Sequence, residues 1–551
     1  DGDIWGAPDG ALVLVLAEAF QAGKPLIFVA RDDARLAAVQ AGLQHIAPKL
    51  DLWVLPAWDC LPFDRLSPQT GLVGRRVETL ARLSAGEKPS ILLTTINAVL
   101  QKLPPANYFE DRSLVITQGC AHSPSTLAEF LAKHAYLRTD TVRETGEFAI
   151  RGGIVDVFPS GHASPVRLDF FGDEIESMRV FDAGSQRSIG NLNRLILRPV
   201  TEFMLTESTI TRFRTGYLKA FGAAASRDAL YESVSAGRMH PGIEHWLPLF
   251  HNHLETLADY CPGWPLFLDH EGEAASASRQ AQIQDFFEAR NQRAGNDQTS
   301  LYRPLSPDQL YLSAKQTETL ITAVSTRRLY AFAAPGSVTT DPSKLVSNDA
   351  GGRSGIKLSS SGAAKAITDC VILIAAEREG YNRPVLLACS STGAASRLTD
   401  LLEGQMGTGT VQRVADLSKL QAGGLYISQW PLEKGFQTDY LLVIAEPDIF
   451  GQRLLRPQSK RGRGDDFLRE VSALETGDLV VHAEHGIGRY DGLVIINSAG
   501  SDHDCLHLVY AGGDKLYLPV ENIELLSRYG SSDSNVQLDR LGGVAWQARV
   551  A

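Results

Sequence analysis

Along the first hundred residues, short runs of apolar positions alternate with longer stretches in which apolar residues recur every three or four places. Ala11–Phe20 is almost wholly apolar and predicts a helix entered from the loop Gly6-Ala7-Pro8-Asp9-Gly10. Pro25–Ala30, Leu52–Leu55 and Ile91–Thr95 are apolar runs of strand length, separated by helix-like segments over Asp33–His45 and Gly71–Leu83. Short apolar strands alternating with helices predict a parallel sheet covered on both faces. From about residue 143 the period changes to two. Phe148–Phe158 and Val166–Phe181 alternate, broken by Gly152-Gly153 and Gly172-Asp173, which predicts a small antiparallel sheet. Residues 201 to about 335 carry few strand signals and read as a mainly helical return that completes the first domain.

Beyond that the pattern lapses. Residues 341–364 are rich in Ser, Gly and Asp and read as a linker. Residues 365–453 are again α/β, with strands expected at Val385–Cys389, Leu425–Ser428 and Tyr440–Ala445. Residues 454–472 place Arg456, Lys460, Arg461 and Arg463 among Gly and Pro, as in a basic, exposed linker. Residues 473–530 hold short alternating strands with turns at Glu484–Gly488 and Ala511–Asp514, the pattern of a small SH3/Tudor-like β-barrel. The fold class expected is therefore multi-domain α/β: 1–115, interrupted by a small β domain over 116–200 and completed by 201–340, then 365–453 and the barrel, with 531–551 leading onward.

Bulk properties narrow the function classes. A chain of 551 residues is too long for one core. Its net charge of -11 argues against a surface that grips DNA throughout, leaves room only for a local DNA contact, and fits protein partners better. Cys60, Cys120, Cys261, Cys370, Cys389 and Cys505 are scattered, with no C-x-x-C pair. Neither a disulfide framework nor a zinc site is expected, and free thiols in a reducing cytoplasm are. No apolar run reaches the roughly 20 residues that span a bilayer. The chain begins at Asp1 rather than Met, and a fragment is expected.

Three motifs invite chemistry and decline it. A phosphate loop reads G-x-x-x-x-G-K-[ST], where Lys meets the phosphates and Ser/Thr holds magnesium. Gly6 and Gly10 have that spacing, but Ala11 and Leu12 follow, so the charge and the metal ligand are missing; the alternative is a plain glycine turn before a helix. Leu441–Asp448 ends an apolar run in Glu446-Pro447-Asp448 and reads as a strand closing in a turn rather than a magnesium site. His482 and His485 lie three apart, the wrong spacing for a helical zinc pair, and read as structural. No catalytic residue and no metal ligand is expected.

The small sheet offers a different kind of candidate. In Val166–Phe171, strand alternation sends Val166, Leu168 and Phe170 to one face and Arg167, Asp169 and Phe171 to the other. An aromatic beside an Arg on an open sheet is a composition typical of protein-binding hot spots, and Arg151 joins them if its strand lies alongside. The competing reading has Phe171 packed under a neighbouring domain and Arg167 paired with Asp169.

These residues carry a resemblance. Gly146–Pro159, Arg167–Ser177 and Arg179–Asp182 resemble the second domain shared by the excinuclease subunit UvrB and the bacterial transcription-repair coupling factors. Leu55–Asp64, with Arg75-Arg76 and Thr94-Thr95, is similar to the first domain of the coupling factors, and Gly477–Tyr490 with Lys515–Val520 to their RNA-polymerase-interacting domain. Leu541-Gly542-Gly543 and Trp546 resemble the segment leading to their motor. The resemblance implies a UvrB-like module with a degenerate phosphate loop. It also implies recruitment of UvrA through the positions of Arg151, Arg167 and Phe171, and a CarD-like domain that binds the RNA polymerase β subunit through the edge strand Leu493-Val494-Ile495-Ile496. ATP, magnesium and double-stranded DNA would belong to a translocase motor beyond residue 551, so this chain is expected to be a cytoplasmic, monomeric adaptor with no cofactor. UvrB's intact loop and Tyr-rich hairpin have no counterpart here, since Trp58–Pro68 is short and lacks tyrosine. A UvrB-like ATP-dependent damage-recognition enzyme is the alternative; a module that only holds a motor in check is a third.

Overall fold

The computed structural model describes residues 3, 4, 7, 9–20, 23–294, 302–323, 325–330, 363–415, 419–438, 440–450, 477–482, 485–498, 501–519, 526–528 and 538. Nearly all of the expected linker 341–364, the basic linker 454–472, and 531–551 with Trp546 lie outside them. The chain divides into two compact units, 1–451 and 452–551.

The first unit opens with α1 (Asp9–Phe20), β1 (Leu26–Ala30), α2 (Asp33–Ile46), β2 (Leu52–Leu55), α3 (Thr70–Ser84) and β3 (Ile91–Thr95). Asp32 caps α2 by accepting the Arg35 N–H at 2.7 Å. β1 and β3 are buried at every position, and β1–β3–β2 pair in parallel.

The small β domain begins at β4 (Leu114–Thr117), earlier than the change of period near 143. It continues through β5 (Leu137–Arg138), β6 (Glu147–Arg151), β7 (Ile154–Val157), β8 (Val166–Phe171), β9 (Glu174–Phe181), β10 (Ser188–Asn191) and β11 (Arg194–Leu197). The sheet order is β10-β9-β8-β7-β6-β5, antiparallel except for β5 with β6, and β4 pairs separately with β11. The helix Pro124–Lys133 and the β4–β11 pair cover one face, where Leu127, Leu131, Ile116 and Leu195 meet Phe148, Val155, Val166 and Leu168.

The return is not only helical. β12 (Leu266–Leu268) and β13 (Thr326–Arg328) join the first sheet in the order β13-β12-β1-β3-β2, all parallel. At three residues each they fall below the length at which a period is readable. Elsewhere in the return an aromatic core gathers Phe203, Phe213, Trp246 and Phe250 with Phe63. A buried knot ties the return to α3. Arg76 donates to Glu202 at 2.5 Å and to the Pro56 carbonyl at 2.5 Å, and the Trp58 indole donates to the same carboxylate at 3.2 Å.

The second α/β segment forms β14 (Val385–Ala388), β15 (Gln412–Arg413), β16 (Leu425–Ser428), β17 (Phe436–Gln437) and β18 (Leu442–Ala445) in the order β15-β16-β14-β18-β17. Its strands are apolar on both faces for two reasons. Val385, Leu387, Ile427 and Ile444 pack under the segment's own helices Ala363–Gly380 and Thr392–Met406. Leu386, Ala388, Tyr426 and Val443 pack in one core with Leu12, Leu14, Leu16 and Leu43 of α1 and α2. The α1–α2 layer is thus sandwiched between two sheets, which accounts for a helix apolar on every side.

The second unit contains β19 (Leu479–His482), β20 (Gly486–Ser498), β21 (Ser501–Val509), β22 (Lys515–Pro519) and β23 (Leu526–Arg528). They pair antiparallel in the order β22-β21-β20-β19-β23. The described pairings form a sheet and include none that closes it into the expected barrel.

Candidate functional site

Gly6 lies outside the described residues. Gly10 sits in the first turn of α1, and a Cβ there would run into the Phe436 ring of β17 and come within 3.3 Å of Leu432. Ala11 and Leu12 are 0% and 1% exposed. A helix N-terminus binds phosphate by presenting open N–H groups; this one is covered. The second α/β segment is also stitched to the first by polar contacts: Ser428 Oγ lies 2.6 Å from His45 Nε2, and the Tyr440 hydroxyl donates to Glu18 at 2.6 Å.

The other two motifs are structural. Asp448 accepts the N–H groups of Gly435 and Ala445 at 2.7 and 2.8 Å, and Glu446 accepts Ser390 Oγ at 2.7 Å. β18 therefore closes in a short helix, Glu446–Phe450, rather than the expected turn. His482 is buried on β19 with its ring stacked on that of His485 at 4.5 Å. Among the described residues no group of three His, Cys, Asp or Glu could hold a metal, and Cys60, Cys120, Cys261, Cys370 and Cys389 are free thiols.

The segment Trp58–Pro68 is anchored to the return by several contacts. Phe63 is buried, the Asp64 N–H donates to His245 Nε2 at 3.1 Å, and Ser67 donates to Glu244 at 2.7 Å. Burial drives His245 down to about 4, and burial drives the Glu244 carboxyl up to about 7 against the pull of the Ser67 hydroxyl.

The open face of the small sheet is organised differently. Its pairing register sets Arg151 opposite Ile154, Ile154 opposite Asp169 and Asp169 opposite Ser177. The next row runs Ala149, Asp156, Arg167, Arg179. Strand alternation puts both rows on the face away from the core, together with Phe171. Phe171 stands at the β8–β9 turn with 80% of its surface exposed, so it is not packed beneath a neighbour. Arg151 is exposed at the end of β6 and donates to the Asp140 carbonyl from Nε at 3.2 Å.

Arg167 pairs with Asp156, not with Asp169. Its Nε and Nη2 donate to the two carboxylate oxygens at 2.7 and 2.8 Å, and the guanidinium lies 4.7 Å over the Phe181 ring. These hydrogen bonds hold Arg167 still more firmly in its charged form. Asp169 takes Arg179 and the Ser177 hydroxyl. Burial would raise its carboxyl, but these two partners outweigh it and the group titrates below its usual range. The candidate residues thus belong to a larger constellation. Asp156 escaped notice because it sits alone in the apolar run Ile154–Val157, although an acid at the solvent-side position of a strand is itself a signal.

In the second unit, Leu493, Val494, Ile495 and Ile496 of β20 pair with Leu506, Cys505, Asp504 and His503 of β21. β19 pairs with β20 only from Gly486 to Arg489. The other backbone edge of 493–496 therefore has no partner among the described residues.

Two family models match these parts. Residues 114–203 match the UvrB interaction domain, from the first residue of β4 to just past β11. Residues 474–530 match the CarD-like/TRCF RID domain, which encloses β19 to β23. Proteins named transcription-repair-coupling factor align with nearly the whole chain. The protein from Escherichia coli K12 is 31% identical over 99% of this chain and 46% of its own length. That from Haemophilus influenzae is 30% identical over 98% and 46%, and that from Rickettsia bellii 29% over 92% and 43%. The chain spans a little under half the length of these relatives. No described helix is long and apolar enough to cross a membrane. By both domain models and by alignment over almost all of its residues, the chain belongs to the transcription-repair-coupling factor family.

Proposed function

We propose that this part of the family is an adaptor in transcription-coupled DNA repair. Its small sheet recruits UvrA through Arg151, Arg167 and Phe171, and the free edge of Leu493–Ile496 adds to a sheet of the RNA polymerase β subunit. The observation that carries the reading is the open face of β8: a Phe left 80% exposed on the same strand face as an oriented Arg167. An exposed aromatic on one sheet face with Arg167 and Arg179 matches the composition of a protein-binding hot spot. An unpaired strand edge is in turn a known peptide-recognition mode. Nucleotide and magnesium have no part at the start of α1, and any ATP-driven step belongs elsewhere in the full-length protein.

The test is capture of UvrA by chains carrying Arg167→Ala or Phe171→Ala. Each is expected to lose about 2 kcal/mol of binding, while polymerase capture is unchanged. Wild-type UvrA capture by both variants would overturn the site. DNA-stimulated ATP hydrolysis by the purified chain would favour the UvrB-like enzyme instead.

A further inference from the structure

We infer that Asp156 is a positioning residue of this face: it presents Arg167 end-on to a carboxylate of the docking partner. The inference rests on the reading of the face as the UvrA-docking surface. It starts from which guanidinium edges are in use. A guanidinium has a side edge, Nε with Nη2, and an end edge, Nη1 with Nη2, and each can take a carboxylate in two parallel hydrogen bonds. Asp156 occupies the side edge at 2.7 and 2.8 Å, and the Gln186 carbonyl lies 3.5 Å from Nη1. The end edge keeps the second Nη2 N–H, and a second carboxylate would take it together with Nη1, displacing that long contact to Gln186. The Phe181 ring beneath the group at 4.7 Å sets its plane. Asp156 is 2% exposed, whereas the Arg167 side chain remains 19% exposed, so the acid is the fixed base and the Arg the presented group.

The neighbouring strand points the same way. Arg179 lies directly opposite Arg167, and like charges facing each other across two strands are destabilising. Each Arg has its own carboxylate, Asp156 for Arg167 and Asp169 for Arg179. Arg179 Nε is buried without a hydrogen-bond partner, while its side chain is 41% exposed. Two guanidinium groups set side by side, each fixed by its own carboxylate and each still partly exposed, concentrate positive charge on this face. It is a preformed receptor for an acidic surface, with the orientation settled before the partner arrives.

A double-mutant cycle on UvrA affinity decides the matter, using Asp156→Asn and Arg167→Ala singly and together in the whole chain. Asp156→Asn keeps the shape but removes the two-oxygen anionic clamp, and about a tenfold loss of affinity is expected. In the Arg167→Ala background the same change should cost nothing further, because its effect passes through Arg167. Asp156→Glu should recover part of the loss. Melting curves fix a temperature at which every chain is folded. If Asp156→Asn does not fold, Arg167→Lys, which keeps the charge and loses the fork, is expected to bind about tenfold more weakly. Fully additive losses overturn the positioning role. So does wild-type affinity in Asp156→Asn, or in Arg167→Lys, while Arg167→Ala is weakened. Wild-type affinity in both Arg167→Ala and Phe171→Ala instead overturns the docking reading beneath it.

Discussion

The first turn of α1 and the open face of β8 are the two places where the chain looks built to hold something, and they have been treated in opposite ways. At α1, Gly10, Ala11 and Leu12 are enclosed, and β17 lies where a ligand would approach. At β8 the large residue remains and is left open, with Arg167 and Arg179 held in place by buried or half-buried acids. A binding site can therefore be lost by packing as well as by substitution. Once the second α/β segment packs on α1, restoring the missing residues no longer restores the function. Conversely, a site can be sustained by groups that never touch the partner.

The largest effect should come from trying to revive the closed site. Ala11→Lys places an ammonium at a position that is 0% exposed and lined by the side chains of two sheets. Burying an unpaired charge costs several kcal/mol, so the chain should fail to reach the native urea midpoint, and Ala11→Lys with Leu12→Thr should bind no nucleotide. A stable, nucleotide-binding double variant would break the comparison outright.

A gentler change tests the same packing by its sign. Gly10 is helical, and in an open helix Gly→Ala stabilises by up to about 1 kcal/mol. Here the added Cβ meets the Phe436 ring, and overpacking of this kind costs about 1–3 kcal/mol. Urea unfolding of Gly10→Ala should show a loss. A gain would mean that β17 does not press on the turn.

How much of this was readable in the chain follows from length and register. β1, β2 and β3 announced themselves as apolar runs of four or five residues. β12 and β13 did not, because three-residue strands owe their existence to the neighbour they pair with. The cover over α1 had a signal, the unbroken apolar surface of that helix, but not its source 400 residues further on. The open face of β8 was legible from period two. The partner of Arg167 was not, because Asp169 is two residues away on the same strand whereas Asp156 is brought opposite by register.

The packed return also carries two titrations, those of Glu244 and His245. Glu244 sits at about 7 in the folded chain, well above an ordinary carboxylate, so between pH 4.5 and 7 the folded state holds a proton that the unfolded state releases. Stability from this group is present in full below pH 4.5 and is lost as pH rises towards 7. His245, at about 4, works the other way: its contribution is present above pH 6.5 and lost as pH falls towards 4. The two oppose each other between pH 4.5 and 6.5. Glu244→Gln removes one side, so stability should rise more steeply with pH than in wild type, by about 1.4 kcal/mol per pH unit. Urea titrations at pH 5 and 6 measure this, and an unchanged slope would show that Glu244 is ionised in the fold.

The smallest expected effect tests the open face most sharply. Phe171→Ser removes a large aromatic from a position that is 80% exposed at a β-turn, away from the Phe148–Leu168 core. Surface changes of this kind alter stability by about 0.5 kcal/mol or less. If the ring serves only recognition, the unfolding midpoint should match wild type while UvrA capture falls. A loss beyond about 1 kcal/mol would mean that the ring packs against another part of the chain, and the contrast with α1 would then be one of degree. A null result in stability together with a loss in binding separates the two regions, since the effect of a change at Ala11 falls on packing.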